Sequence, residues 1–421
     1  MKQRRRRAIL AAIVMTVVVG AATGEGQGEA SDDRSPFAGR YLEMSWDEIV
    51  AEARGSEVYW YMWGGSDAIN TFVQDYIAER LADEYDVELE MIPVTDASVF
   101  VSKVLGEKEA GLERGGSVDL VWINGENFRS MRTNGLLFGP YADMLPNLRY
   151  VDTDDPTIAN DFGFPVEGYE SPYGSAQMVI VYDEARVSEP PTSIRDLIDW
   201  ARANPGRLTY PAPPDFTGSA FVRHLFYHAA GGYEQLLGPF DADLFDRFAS
   251  DAWALMNELE PYLWREGRTY PETSTQLQNL FANSEVDFDM NYSPTGAANL
   301  VAQGRYPEST RTFVFDSGTI GNTHFVAIPF NATHKAAAMV LANLLLDPAI
   351  QLEKARASVW GDLPAVQVSL LPEIWQERFA SLPRPPSVLS DETLQSHRLP
   401  ELQSTWLDAI ERGWVSNVLE R

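Results

Sequence analysis

The chain has 421 residues, with 61 Asp or Glu against 33 Lys or Arg, and a formal net charge of -28 at pH 7. Such an acidic chain is a poor partner for nucleic acids and anionic membrane surfaces, because both are negatively charged themselves. It contains no Cys, which excludes a lipid-bearing cysteine, disulfide bonds, thiolate metal sites and cysteine nucleophiles. Its length predicts two domains rather than one.

The first residues have the layout of a secretory signal peptide. The basic start "MKQRRRR" precedes a 15-residue apolar run at 8–22, which is shorter than the roughly 20 residues that span a bilayer. We expect residues 1–24 to be removed and the protein to act in the periplasm without a lipid anchor. Removal takes away five basic residues and no acid, so the formal charge becomes -33.

Residues 25–44 are predicted to be a flexible spacer, and the first domain begins after it. In "SWDEIVAEARG", Ser45 and Glu48 stand at capping-box spacing and predict a helix. Strands and helices then alternate, which is typical of a parallel sheet. The predicted order is strand 57–63, a helix after the turn "GGS", strand 87–94, helix 99–112 and strand 118–123.

A second α/β domain is predicted from a repetition of the same pattern. Its elements are a helix in "TSIRDLIDWARANP", a strand in "GRLTYPAP" (206–213), a helix in "DFTGSAFVRHLFYHAAGG" and a strand in "EVDFDMNY" followed by "SPTGAANLVAQG". The stretches 171–187 and 317–330 look like strands that cross between the domains. We therefore predict two lobes, each a mainly parallel sheet flanked by helices. The predicted division is 45–172 with 322–421, including the C-terminal helices, and 173–321, with a hinge near 171–180 and 315–325.

Polar turns follow several predicted strands. Gly64 and Gly65 let backbone N–H groups approach a ligand, and Ser66 can cap the next helix or donate to the ligand. The segments "NGENF", "DFTGS" and "YSPTG" hold the same place after other strands. Each turn alone is better explained by an ordinary helix cap. Their recurrence in both domains favours a ligand cleft at the carboxyl ends of the strands.

The order of elements resembles the extracellular solute-binding proteins, family 1, of ABC importers, which have the type II periplasmic binding-protein fold. The resemblance covers nearly all of the mature chain and is carried by "VDLVWINGENFRSMRTNGLL", "SPYGSAQMVIVYDEARV" and "AAAMVLANLLLDPAIQLEKA". The sequences "YMWGGS" and "WINGENFRSM" most resemble those of an uncharacterised bacterial subgroup near thiamine and polyamine binders. This chain has no adjacent tyrosines, whereas iron-binding relatives use such a pair, so ferric iron is not expected.

The resemblance implies a monomer that traps a small solute between two lobes and delivers it to the permease subunits of an ABC importer in the inner membrane. It implies no cofactor, no metal and no nucleic acid. Two other functions stay open, namely a ligand-sensing or adaptor protein with the same fold and a secreted enzyme. The sequence lacks His-Glu-x-x-His, Gly-x-Ser-x-Gly and Gly-Lys-Ser/Thr motifs, which argues against the enzyme.

Two pairs of ionisable residues allow more than one interpretation. His224 and His228 stand four apart, as metal ligands on a helix do, but without a carboxylate between them a helix-surface or packed pair is the better interpretation. Asp287 and Asp289 share one face of a strand, where they could perform acid–base chemistry or hold a cation.

Aromatic residues and acids around the proposed cleft suggest a ligand. Trp60 and Trp122 lie inside strands and are expected in the core, whereas loop aromatics, Phe128 among them, suit stacking and cation–π contact. With Asp215 as a further acid, they favour a small organic cation such as a thiamine-like compound or a polyamine. A sugar, an anionic phosphate compound and an oligopeptide stay open, since amide-rich turns favour anions or neutral groups. The predicted ligand-binding residues are Trp63, Gly64, Gly65, Ser66, Asn124, Glu126, Asn127, Tyr173, Ser175, Phe216, Thr217, Ser219, Asp289, Tyr292, Asn322 and Trp360.

Overall fold

The computed structural model describes residues 36–420. The predicted signal peptide at 1–24 lies outside the described residues, as does most of the predicted spacer. Residues 36–43 differ from the prediction because they form a helix, α1, rather than a flexible segment. Tyr41 explains why this helix is held in place, since its ring meets that of Phe138 edge-on at 6.1 Å and packs on the first hydrophobic core.

The described residues alternate between strands and helices along most of their length. The strands are β1 Ser56–Trp63, β2 Val87–Val94, β3 Leu120–Ile123, β4 Asn160–Asp161, β5 Phe164–Pro165, β6 Glu170–Gln177, β7 Val179–Asp183, β8 Phe288–Asn291, β9 Thr310–Phe313, β10 Thr319–Ala327 and β11 Arg398–Leu399. The α-helices are α1 Pro36–Glu43, α2 Trp46–Ala53, α3 Asp67–Thr71, α4 Ala78–Tyr85, α5 Ser98–Glu109, α6 Glu126–Thr133, α7 Pro156–Ala159, α8 Ile194–Ala203, α9 Phe216–Ala230, α10 Ala242–Leu259, α11 Ser274–Ala282, α12 Gly296–Ala302, α13 Lys335–Leu345, α14 Pro348–Ala355, α15 Glu373–Ala380, α16 Asp391–Ser396 and α17 Ser404–Trp414.

The first sheet has six strands and is covered on both faces. Its order is β11-β10-β3-β1-β2, and β6 also pairs with β10. β1 runs parallel to β2 and β3, whereas β10 runs antiparallel to β3 and β6. One face packs on α2, α4 and α13 and the other on α5 and α6. Burial on both faces explains why its strands are rich in Val, Ile, Leu and aromatic residues.

The second sheet differs from the prediction of a mainly parallel sheet. It has the order β8-β7-β9, with β7 antiparallel to both neighbours. The predicted strand at 206–213 makes a single bridge, from Leu208 to Leu263. Pro211 and Pro213 lack the N–H that would extend a ladder through this segment, so it cannot serve as the parallel strand that the prediction required.

Three segments, rather than the two predicted, connect the sheets. The first leads from β6 to β7, the second from β9 to β10, and the third through β11 into α17. The first two are the crossings identified from the sequence. The third is a correction, because Trp406, Ile410 and Trp414 of α17 pack in the core of the second sheet, although residues 322–421 were assigned to the first lobe.

Within residues 36–420, no single helix is long and apolar enough to cross a membrane. One pair, Lys335–Leu345 and Pro348–Ala355, meets the length and composition requirements only when taken together, and it is bent by 59°.

Candidate functional site

A cavity of about 770 Å³ lies where the carboxyl ends of β1, β2 and β3 meet the crossing strands and the second sheet. Seven of the predicted ligand-binding residues line it, namely Trp63, Asn124, Asn127, Phe216, Tyr292, Asn322 and Trp360. Three of the four turns that the sequence singled out, "NGENF", "DFTGS" and "YSPTG", therefore contribute to one space. The volume is in the range of sites for small organic molecules.

The turn after β1 follows an exposed aromatic side chain of the cavity. Trp63 is 46% exposed although it lies at the end of a buried strand. A Cβ atom on Gly65 would stand 2.2 Å from the Trp63 ring, and one on Gly64 would stand 2.4 Å from the Pro93 Cβ. The two glycines therefore provide space for the indole and the adjacent strand, while Ser66 caps α3. None of these three residues lines the cavity.

The turn after β3 contributes amides to the same wall. Gly125 has φ 62°, a backbone conformation that favours glycine, and its N–H donates to the buried Asp161 Oδ2 at 2.6 Å. This bond fixes the path of the chain between Asn124 and Asn127, which line the cavity. Glu126 points elsewhere, because its carboxylate pairs with Arg129 and accepts from the Ser404 hydroxyl.

His324 on β10 and Asp362 after α14 form the base of the cavity, and Lys354 of α14 is buried against Asp362. Asp362 Oδ2 accepts from Lys354 Nζ at 3.0 Å, and its Oδ1 lies 3.2 Å from His324 Nε2. Lys354 also donates to the Tyr173 carbonyl. Burial opposes ionisation of Asp362, but Lys354 and His324 hold its pKa below the usual value. A Cβ on Gly174 would stand 2.0 Å from the Asp362 carboxylate, so this cluster requires glycine there.

Aromatic rings surround this ionic cluster. Trp360 stacks on His324 with an interplanar angle of 18° and also packs against Trp122 and Tyr173. Trp122 was expected in the core but lines the cavity, whereas Trp60 is fully buried as predicted. Tyr173 is buried behind these rings, with 1% of its surface exposed, and does not line the cavity.

The opposite wall is held by a second ion pair. Tyr292 packs against Phe216, with ring centroids 4.7 Å apart, and donates its hydroxyl proton to Glu401 Oε1 at 2.6 Å. Glu401 is paired with Arg223, whose guanidinium is completely buried and also donates to Ser219. Ser219 therefore belongs to the support of this wall rather than to its surface.

The remaining predicted residues have structural contacts away from the cavity. Thr217 N–H donates to the Asp215 carboxylate that caps α9, and Ser175 pairs with Leu363. Asp289 accepts from the Tyr306 hydroxyl at 2.7 Å and is completely buried, which raises its pKa to about 7. The predicted aromatic Phe128 is buried against Phe164.

Sequence reasoning missed three ionisable residues of the lining, Asp96, His324 and Asp362. Asp96 follows β2 directly, in the place where the other strands carry their polar turns, so the same positional rule would have found it. His324 lies within a crossing strand, and polar residues inside such a strand are a usable signal. Asp362 follows Trp360 by two residues and carried no signal of its own.

The two histidines of α9 differ, because His224 is packed inside the protein and His228 is exposed on the helix surface. His224 is buried in α9, and its Nε2 accepts from the Ile320 N–H at 2.9 Å. Burial lowers the pKa of His224 to about 4, so the ring stays neutral. Within the part of the chain that the structure describes, no group of three or more His, Asp or Glu side chains is placed to hold a metal ion.

Comparison with known proteins gives consistent matches. The sequence profile described as "Bacterial extracellular solute-binding protein" matches residues 76–381. Protein YnjB from Escherichia coli strain K12 is 38% identical over 370 residues, covering 88% of this chain and 93% of that protein.

Solved structures of ABC transporter binding proteins have the same fold. The spermidine/putrescine substrate-binding protein PotD from Streptococcus pneumoniae matches with a TM-score of 0.61 at 14% identity, over 86% of this chain and 98% of that one. A periplasmic thiamin binding protein matches with a TM-score of 0.51 at 16% identity, over 86% and 96%. At these sequence identities the similarity extends to the fold alone. It confirms the predicted two-lobed α/β fold.

Proposed function

The chain belongs to the bacterial extracellular solute-binding proteins, and on that basis we propose that it serves an ABC importer by capturing a small solute and delivering it to membrane permease subunits. The N-terminal signal suggested by the sequence would place this activity in the periplasm. The proposal describes a binding protein that acts as a monomer and carries out no chemical reaction on its solute.

The observation that carries the proposal is the position of the cavity. It is lined by residues of both sheets. These include Asn322 and His324 of β10, the strand of the first sheet that the second connection enters. A ligand that contacts both sheets stabilises their closed arrangement, because its contacts are made in full only when the two walls approach. The closed arrangement differs in shape from the ligand-free protein, so a permease can recognise the protein that carries a solute.

The lining favours an organic cation with a flat apolar body. Trp63 and Phe216 are each 46% exposed and offer open aromatic faces, for which cation–π contact contributes about 0.5 to 2 kcal/mol. Asp96 supplies a carboxylate at the same cavity. The structural neighbours named for spermidine, putrescine and thiamin are consistent with this class of ligand.

Calorimetric titration and solution scattering test the proposal together. The panel is thiamine, thiamine phosphates, putrescine, spermidine, maltose and glycerol phosphate. We expect a cation to bind and to reduce the radius of gyration, and we expect Trp63→Ala to weaken that binding about tenfold. Phe240→Ala is the matched control, since Phe240 is also an exposed aromatic residue but lies outside the lining.

Two results would contradict parts of the proposal. Binding of maltose or glycerol phosphate with no response to the cations would refute the ligand class. Solute binding without any change in the radius of gyration would count against capture between the sheets.

A further inference from the structure

The two ends of the cavity differ in the charge they leave for a ligand. At the base, the Asp362 carboxylate is already engaged by Lys354 and His324. The Lys354 ammonium also lies 5.4 Å from the centre of the Trp360 ring and 5.3 Å from that of Tyr173. An additional cation at this end would find the carboxylate neutralised and the aromatic rings already in contact with a positive charge.

The far end has the opposite character. Asp96 follows β2, is exposed and lines the cavity. Its carboxylate accepts from the Ser98 N–H at 2.8 Å, and it makes no salt bridge within residues 36–420. The pKa of Asp96 is lowered by its hydrogen bonds with Ser98, so this carboxylate is negatively charged at neutral pH. The exposed ring of Trp63 belongs to the same cavity.

The order of the sheet separates the two ends. Asp96 follows β2, whereas His324 lies on β10, and β3 and β1 stand between them. Three strand spacings of about 4.8 Å amount to about 14 Å. An extended organic molecule that lies across the strands therefore reaches both ends.

The base leaves two polar atoms without partners. Asn322 is 6% exposed, and its Oδ1 atom has no hydrogen-bond partner within the described residues. His324 Nδ1 is likewise buried without a partner, while its other ring nitrogen lies against Asp362. Buried polar atoms without partners are rare in folded proteins. Both side chains line the cavity, so the polar end of a neutral group can satisfy them.

We propose, on the basis of the solute-binding function above, that the site selects an organic cation with one charged end and one neutral, flat, hydrogen-bonding end. The charged end binds near Asp96 and Trp63, and the neutral end binds at His324, Asn322 and Trp360. A linear diamine, which is charged at both ends, is disfavoured because its inner ammonium approaches Lys354.

The affinities of the unmodified protein for two probes test this selectivity. Thiamine carries its positive charge on one ring and a neutral aminopyrimidine on the other, whereas putrescine is charged at both ends. We expect thiamine to bind at least about tenfold more tightly than putrescine, a difference of about 1.4 kcal/mol. Equal affinities, or tighter binding of putrescine, would overturn the inference.

Asp96→Asn locates the charged end. Asn retains the oxygen that accepts from the Ser98 N–H, so this hydrogen bond is preserved while the charge is removed. We expect thiamine affinity to fall about tenfold and its dependence on salt to disappear in this variant. Asp241→Asn is the matched control, because Asp241 is also an exposed carboxylate that accepts from a backbone N–H at the start of a helix, α10, but lies outside the lining.

The outcomes separate this inference from the proposed function. If thiamine binding to Asp96→Asn keeps the salt dependence of the unmodified protein, the cation lies elsewhere and the inference is wrong. If maltose alone binds and compacts the protein, the selectivity inference fails while solute capture stands. If no solute binds or compacts the protein, both fail.

Discussion

Two buried ion pairs support opposite walls of the cavity, and they hold different groups in its lining. Lys354 and Asp362 are 3.0 Å apart, with side chains 1% and 6% exposed. Arg223 and Glu401 are 2.9 Å apart, with side chains 0% and 2% exposed. The two pairs are therefore almost equally enclosed.

They differ in the group that each presents to the cavity. The first pair leaves the Asp362 carboxylate and its neighbour His324 in the lining, so that wall is polar. The second pair directs Glu401 toward the Tyr292 hydroxyl, so the ring lines the cavity while the charges stay behind it. The character of a wall thus depends on the group that an ion pair holds in position rather than on the formal charges behind it.

Removal of one partner of the second pair should have the largest effect. We expect Arg223→Met to lower the free energy of unfolding by about 3 to 5 kcal/mol, because Glu401 would remain buried without a partner. Urea denaturation measures this change. The double variant Arg223→Met with Glu401→Leu is the control and should recover most of the loss. A single variant within 1 kcal/mol of the unmodified protein would show that this pair is not needed.

Asp289 is a buried acid of the second sheet that accepts from a tyrosine instead of pairing with a base. Burial raises its pKa from 3.8 to about 7, so the folded protein binds this proton more tightly than the unfolded chain. Its contribution to stability is therefore complete below about pH 4 and is lost as the pH rises through about 7. We expect Asp289→Asn to be more stable than the unmodified protein by about 4 kcal/mol at pH 8 and similar to it at pH 4.

The measurement is urea denaturation of both proteins at the two pH values. Since Asp289 lies outside the lining, solute affinity should be unchanged in this variant. A loss of stability at pH 8, or weakened binding, would show that the buried carboxylate is needed in its charged form.

A methyl group at Gly174 should disturb the first pair. The added Cβ of Gly174→Ala would stand 2.0 Å from Asp362 Oδ2 and 2.5 Å from Lys354 Nζ. Overpacking of this kind costs about 1 to 3 kcal/mol, and thiamine affinity should fall as well because Asp362 and His324 shift. Gly106→Ala, at an open position of α5, is the control and should keep full stability and affinity. An unchanged Gly174→Ala variant would argue against the required geometry of the cluster.

The smallest effect is expected at Gly65. In Gly65→Ala the new Cβ meets the Trp63 ring at 2.2 Å, and the indole must move within an open cavity rather than within a packed core. We expect stability to change by less than about 0.5 kcal/mol and affinity to fall about threefold. In a Trp63→Ala background the same substitution should change nothing, and calorimetric titration of the four proteins provides the test. An equal loss in both backgrounds would mean that Gly65 acts through another contact.

The features that sequence analysis predicted correctly are the local ones. β2 has the predicted bounds of 87–94, since its alternation and flanking turns are contained in a short window. The capping box of Ser45 and Glu48 is confirmed for the same reason. The polar turns also identified four residues of the lining, Asn124, Asn127, Phe216 and Tyr292.

The incorrect or incomplete predictions depend on contacts between distant parts of the chain. Whether an acid such as Asp289 faces a cavity or a buried tyrosine depends on Tyr306, 17 positions away. The helical pattern of α17 predicts an apolar face but not the core on which that face packs. Asp362 and His324 become a site only through the pairing of β6 with β10 and the position of α14.

The third connection between the sheets has a consequence for the order in which the molecule can form. The core of the second sheet contains Trp406, Ile410 and Trp414, and the first sheet needs β10 and the buried helix α13. A chain that leaves the ribosome with its N-terminus first therefore cannot complete the first core until nearly 350 residues are available. It cannot complete the second core until α17 has been synthesised. Both cores are therefore completed only after most of the chain has been synthesised.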